Sequence, residues 1–138
     1  MPLEIAKAVY DRFASNDIDG FLSLCSPDIR WVVNGPASLE KCRTFEGIDG
    51  VREFLAILNR TWRFTAFVPR EFIADRDQVV VLGEEQGHEL STAEPFHNRW
   101  AHVFTVRDGR VVAFREFLCH WTGSQTPPPM EWGAAEAA

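Results

Sequence analysis

The stretch that most constrains this chain is residues 98–121, NRWAHVFTVRDGRVVAFREFLCHW. Asp108-Gly109 between two alternating runs predicts a β-hairpin, because a type I′ turn needs positive φ at both central residues. A two-residue turn pairs Arg107 with Arg110. Without a bulge, His102 then lies opposite Arg115, Trp100 opposite Phe117 and Asn98 opposite Cys119. Strand alternation gathers Asn98, Trp100, His102, Phe104, Ala113, Arg115, Phe117 and Cys119 on one face. Ala101, Val103, Val112, Phe114, Glu116 and Leu118 fall on the other. Both faces are largely apolar, whereas a half-solvated hairpin has one polar side, so something must cover each. The first face also carries an imidazole, a guanidinium, an amide and a thiol among large aromatics. That is the mix expected of a ligand pocket.

Helical spacing of Ala6, Val9, Tyr10, Phe13 and Ala14 predicts a helix over 3–15. Asp17 or Asp19 caps a short second helix through residue 24, which Pro27 stops. A strand follows over 28–34, with Trp31 and Val33 on one face and Arg30 and Val32 on the other. Residues 35–46 read as a loop. Ile48, Val51, Phe54, Leu55 and Leu58 stripe a third helix over 48–60. Long strands come next, over 62–74, bent at Pro69, and over 78–90, then the hairpin. The last strands form an antiparallel meander. Three helices on one face of a curved sheet make an α+β cone that can enclose a cavity. The outer sheet face remains apolar and predicts a two-fold homodimer through the sheets. Residues 122–138, with three consecutive prolines, lack the apolar content to order themselves and read as a mobile tail. Trp132 is the one residue there suited to docking. The domain is thus 1–121 and the tail 122–138.

Composition narrows the function. A 138-residue chain suits one domain, and 46% hydrophobic content with 25% charge is globular. A net charge of −6, with scattered basic residues, speaks against nucleic acid, which requires a basic stripe. Cys25, Cys42 and Cys119 are odd in number and lack metal spacing, so they read as reduced thiols of a cytoplasmic protein. No signal peptide or membrane-spanning run is evident, and no membrane partner is expected.

The segments ASNDIDGFLSLCSPDIRW, FEGIDGVREFL and RWAHVFTVRDGRVVAFREF resemble the SnoaL-like polyketide cyclase and ketosteroid isomerase branch of the NTF2-like superfamily, over about residues 3–121. The resemblance implies a cone-shaped NTF2-like barrel, with three N-terminal helices on a curved mixed, mainly antiparallel sheet. It also implies a deep apolar pocket, frequent homodimers and no metal. Members include isomerases, cyclases, dehydratases, epoxide hydrolases and proteins that only bind ligands. The pocket His of the cyclases matches His102. Their acid/base Asp falls at Cys119, and the general-base Asp of the isomerases falls at Val33 or Asn34. The isomerases' oxyanion Tyr lies next to Tyr10.

The expected catalytic set is therefore His102 as general acid/base, with Tyr10 and Arg115 stabilising negative charge. Trp31, Val33, Phe54, Trp62, Trp100, Phe104, Phe117 and Cys119 are the expected substrate contacts. Glu116 should point to the opposite face and form a salt bridge across the dimer, with Arg99 the candidate partner. Glu84, Glu85 and Glu89, at the polar end of their strand, read as a solvated rim, from which either Glu84 or Glu85 could face the pocket mouth. His97 opposite His120 lacks the further ligands a zinc ion needs. The function expected is cofactor-independent isomerase, cyclase or lyase chemistry on a small apolar carbonyl or polyketide-like molecule. The alternatives are a non-catalytic small-ligand-binding protein with the same pocket, and a structural dimerisation domain with a filled interior.

Overall fold

The computed structural model describes residues 1–119. The expected tail over 122–138 and His120 lie outside the described residues. The order is α1 (Pro2–Ala14), α2 (Ile18–Ser23), β1 (Cys25–Asn34), β2 (Thr44–Glu46), α3 (Gly47–Thr61), β3 (Trp62–Asp75), β4 (Gln78–Glu89), β5 (Pro95–Arg107) and β6 (Arg110–Cys119). The six strands form one curled, unclosed sheet in the order β2-β1-β6-β5-β4-β3. Every pair is antiparallel except β1 with β6. The helices cover the inner face, so the fold is the expected α+β cone.

Local chemistry sets the elements. Asp17 caps α2 by accepting from the Gly20 amide at 2.9 Å, which satisfies one of the helix's orphan donors. The bend expected at Pro69 is present as a break in the β3–β4 register between Pro69 and Glu71. β1 starts earlier than expected, at Cys25, because it pairs alongside Val111 of β6. The expected 35–46 loop carries the short β2, which pairs with β1 through Trp31 and Phe45. Among the described residues no helix is long and apolar enough to cross a membrane.

The hairpin turn is as expected. Arg107 pairs with Arg110, and Asp108 and Gly109 have φ of 52° and 74°. The unbroken register is not. β6 bulges at Val112, between the Val106–Val111 and Thr105–Ala113 pairs. One extra residue exchanges the two faces of everything beyond it. His102 therefore pairs with Glu116, Trp100 with Leu118 and Phe104 with Phe114. Phe114, Glu116 and Leu118 are buried inside, while Arg115, Phe117 and Cys119 are exposed outside, Phe117 by 46%. This corrects three expected site residues, Arg115, Phe117 and Cys119, and the expected outward placement of Glu116.

Candidate functional site

The inner face of the sheet carries one continuous row across five strands: Phe72, Val81, His102, Glu116 and Val33. α1 lies over this row and sets the Tyr10 hydroxyl 2.7 Å from His102 Nδ1. On the other side of the ring, His102 Nε2 lies 3.0 Å from Glu116 Oε1. An ionised carboxylate can only accept, so Nε2 carries the proton and donates to Glu116. Nδ1 is then the lone pair, and Tyr10 donates to it. The ring is held in plane by Trp100, stacked on it at 3.7 Å and 5°. Trp100 lies this flat because its cross-strand neighbour is Gly83, where a Cβ would come within 2.3 Å of the indole.

Behind Glu116 stands Lys41, supplied by the 35–43 loop. Its Nζ is 3.6 Å from Glu116 Oε2 and 3.9 Å from Glu85 Oε2, and it lies 4.1 Å from the Trp62 ring centroid. Asn98 donates to Glu85 Oε2 at 2.8 Å. Lys41, Glu85, Asn98, His102 and Glu116 are all buried, and Lys41 is the one buried Lys or Arg among the described residues. A buried charge needs a partner, and this loop lysine is what makes the carboxylates tolerable.

The protonation states follow. Burial opposes ionisation of Glu116, but Lys41 and the His102 hydrogen bond outweigh it and hold the carboxyl down at about 2. Burial lowers His102 more than Glu116 raises it, so the ring is neutral. Burial, then the charge on Glu116, raises the Tyr10 hydroxyl. Burial pushes Glu85 up to about 7 against the pull of Lys41.

These groups border an inner void lined otherwise by Val9, Phe13, Phe21, Trp31, Phe54, Leu55, Leu58, Phe64, Phe67, Phe104 and Phe114. The void has a volume of about 40 Å³, room for a few waters. A broad cleft between α1, α3 and β3 lies outside, and Tyr10, Phe13, Phe64 and Phe67 line both spaces. Phe13 and Phe67 pack at 4.9 Å and Phe64 and Phe67 at 5.5 Å. With Phe21, Leu55 and Leu58, these side chains form the wall that void and cleft share.

Of the expected site residues, His102 and Tyr10 meet directly, and Trp31, Phe54 and Phe104 line the void. Trp62 lines the cleft, while Val33 and Trp100 are buried without lining the void. Of the two carboxylates left open, Glu85 faces inward. Glu84 is held by Arg70 at 2.7 Å and His97 at 3.1 Å. Among the described residues no group of three His, Cys, Asp or Glu is placed to hold a metal. The sequence carries no signal for Lys41, and the structure corrects two carboxylates: Glu85, expected at a solvated rim, and Glu116, expected outside, are both buried against the void. Alternation from Val79 and Val81 would have turned Glu85 inward, but the unbroken apolar run of β4 hid its phase.

A curled sheet roofed by helices, with an acid–base line on its inner face, defines an α+β protein of the NTF2-like kind. The chain matches the SnoaL-like domain over residues 6–114 and belongs to that family. It is similar in structure to an NTF2-like protein from Burkholderia xenovorans LB400, with 25% identity, 86% of this chain and 88% of that one covered, and a TM-score of 0.78. TerC, co-crystallised with polyporic acid, is 31% identical, with 86% and 91% covered and a TM-score of 0.77. A protein of ketosteroid isomerase-like fold from Catenulispora acidiphila DSM 44928, in complex with trimethylamine, shares the fold at 14% identity, with 85% and 86% covered and a TM-score of 0.70. No curated protein matches the chain.

Proposed function

We propose that this chain is an acid–base enzyme of isomerase or cyclase type, acting on a small apolar carbonyl compound that enters from the cleft and enlarges the inner void by parting the aromatic side chains the two spaces share. The observation that carries this reading is the line Tyr10–His102–Glu116, closed at 2.7 Å and 3.0 Å. Tyr10 lines the void, with its hydroxyl held against His102. As the hydroxyl takes a proton from a carbon next to a carbonyl, its own proton passes to His102 Nδ1. The imidazolium formed is balanced by Glu116. Proton transfer of this kind uses side chains alone, and burial strengthens each interaction along the line. The nine void-lining rings of Phe, Tyr and Trp suit an apolar, flat substrate. TerC's co-crystallisation with polyporic acid supports a small-molecule role for the same fold.

The test needs no native substrate. In D2O, NMR reads deuterium entering the α-position of apolar ketones, with α-tetralone as the first probe. The wild type should accelerate exchange over buffer, and Tyr10→Phe and His102→Ala should each lose about 10²-fold. No acceleration for any ketone of the panel, or full rates in both variants, overturns the reading. Tight calorimetric binding without exchange would mean a ligand-binding protein instead.

The outer sheet face carries Ile73, Val80, Leu82, Ala101, Val103 and Phe117 in two adjoining cross-strand rows. We propose that a second copy of this chain covers it. Light scattering should give a dimer, and Phe117→Lys with Leu82→Lys a monomer.

A further inference from the structure

The acid–base line accounts for Tyr10, His102 and Glu116, and it leaves Glu85 unexplained. Glu85 lines the same void and is 2% exposed. One of its oxygens, Oε2, takes the Asn98 amide and faces Lys41. Among the described residues no hydrogen bond reaches the other. The ionisable groups around it are Lys41 and Cys42 from the 35–43 loop and Glu116 from β6. Asn98 of β5 is neutral, and Phe67 lies across the strand pair on β3.

Charge counting then assigns a proton. The cluster holds two carboxyls, one lysine and a neutral imidazole, all buried. A buried net charge is costly, so one carboxyl must stay protonated. Glu116 has the stronger claim to the negative charge, with an N–H at 3.0 Å and Nζ at 3.6 Å. Glu85 has an amide and a longer contact, at 3.9 Å. The proton therefore rests on Glu85. The direction of its shift, up to about 7 by burial, agrees.

We propose that Glu85 is the acid of the site, delivering its proton to the oxygen of a neutral carbonyl ligand while Tyr10 and His102 take one from the adjacent carbon. This rests on the acid–base reading above and adds a second proton-handling wall to the void. The step balances. The C–H bond breaks, its proton goes to Tyr10 Oη, and the tyrosine's own proton goes to His102 Nδ1. The electron pair moves into the carbonyl, whose oxygen takes the Glu85 proton to give the enol. The return step sends the enol proton back to Glu85 and protonates from Tyr10 either the same α-carbon or, where the ligand is conjugated and forms a dienol, its γ-carbon. Each charge that appears has a counter-charge in place, the imidazolium beside Glu116 and the new carboxylate beside Lys41. Lys41 is thus a positioning residue that serves both walls.

The first test reads the free protein by infrared spectroscopy. A protonated-carboxyl C=O band should persist at pH 6, fade as pH rises past neutrality, and be missing in Glu85→Gln. It should also be missing at pH 7 in Glu116→Gln, where Lys41 is left to Glu85 alone and ionises it. A band that survives in Glu85→Gln, or none at pH 6 in wild type, overturns the proposal while leaving the Tyr10–His102 exchange activity standing. The second test is α-tetralone exchange. Glu85→Gln, isosteric with the protonated acid, should keep ketone affinity within about twofold and lose about 10²-fold in rate. An unchanged rate also overturns it. Wild type inactive towards every ketone defeats the underlying acid–base reading instead.

Discussion

Removing the buried cation Lys41 is the most direct probe of this site. Lys41→Met keeps an apolar stem over Trp62 and deletes the charge that faces Glu116 at 3.6 Å and Glu85 at 3.9 Å. A pair at about 4 Å is worth about 4 kcal/mol at an effective dielectric near 20. Stranding a buried partner costs about 3–5 kcal/mol. The variant has one escape, which is to protonate Glu116. Relative to its ordinary value of 4.5, that costs about 1.4 kcal/mol per pH unit, so about 5 kcal/mol at pH 8 and under about 1 kcal/mol at pH 5. The charge penalty cannot exceed the cost of the escape. Urea unfolding should therefore show Lys41→Met less stable than wild type by about 4 kcal/mol at pH 8 and by about 1 kcal/mol at pH 5. Adding Glu116→Gln should restore most of the pH 8 loss, because the stranded charge is gone. Equal losses at the two pH values, or a loss under about 1 kcal/mol at pH 8, would show that Lys41 does not hold this charge balance.

Three further outcomes follow from the geometry. Glu116, lowered from 4.5 to about 2, contributes stability that is present above pH 4.5 and disappears as pH falls through 2. The arm is worth about 3 kcal/mol, and Glu116→Gln should flatten it in acid unfolding followed by circular dichroism. Gly83→Ala drives a methyl to 2.3 Å from the Trp100 ring and 2.6 Å from the Val68 carbonyl oxygen and should cost about 2 kcal/mol in urea unfolding; a loss under about 0.5 kcal/mol would mean that both the indole and the β3 backbone give way. Phe67→Ala breaches the wall between void and cleft. It should cost about 2 kcal/mol, less than a fully buried phenylalanine, and should raise binding of a fluorescent apolar dye severalfold.

Elements marked by local chemistry were readable before any coordinates. α1 and α3 follow from apolar spacing, the hairpin turn from Asp108-Gly109, and the cone from the sequence of helices and strands. His102 and Tyr10 are both legible as candidates, His102 from its place on an aromatic strand face and Tyr10 from the family resemblance, and the structure brings the two together. Their partners were not legible. Lys41 sits in a loop without periodicity, and its burial depends on two acids 44 and 75 positions further on. Glu85 needed the phase of β4, which its apolar run conceals. Glu116 falls on the outer face in any unbulged register, and a bulge has no reliable local signature.

That bulge has a physical cause, and it decides the chemistry. Near the turn, Val111 is tied by its amide to Leu24 O and Val106 by its amide to Asp77 O, each at 2.8 Å. Further on, Phe114 stacks on Trp31 at 3.8 Å and 16°. Both anchors sit on the inner face, three residues apart, and a two-residue repeat cannot satisfy both without one extra residue between them. The apolar gain is modest, since the two registers trade Phe114 and Leu118 for Ala113 and Phe117. The electrostatic difference is larger. Unbulged, β6 would bring Arg115 to the row that Lys41 faces and leave His102 beside a second cation. Bulged, it brings Glu116, which pairs with both. The extra residue at Val112 thus converts a repulsive interior into a compensated one and gives His102 the acceptor that fixes its tautomer.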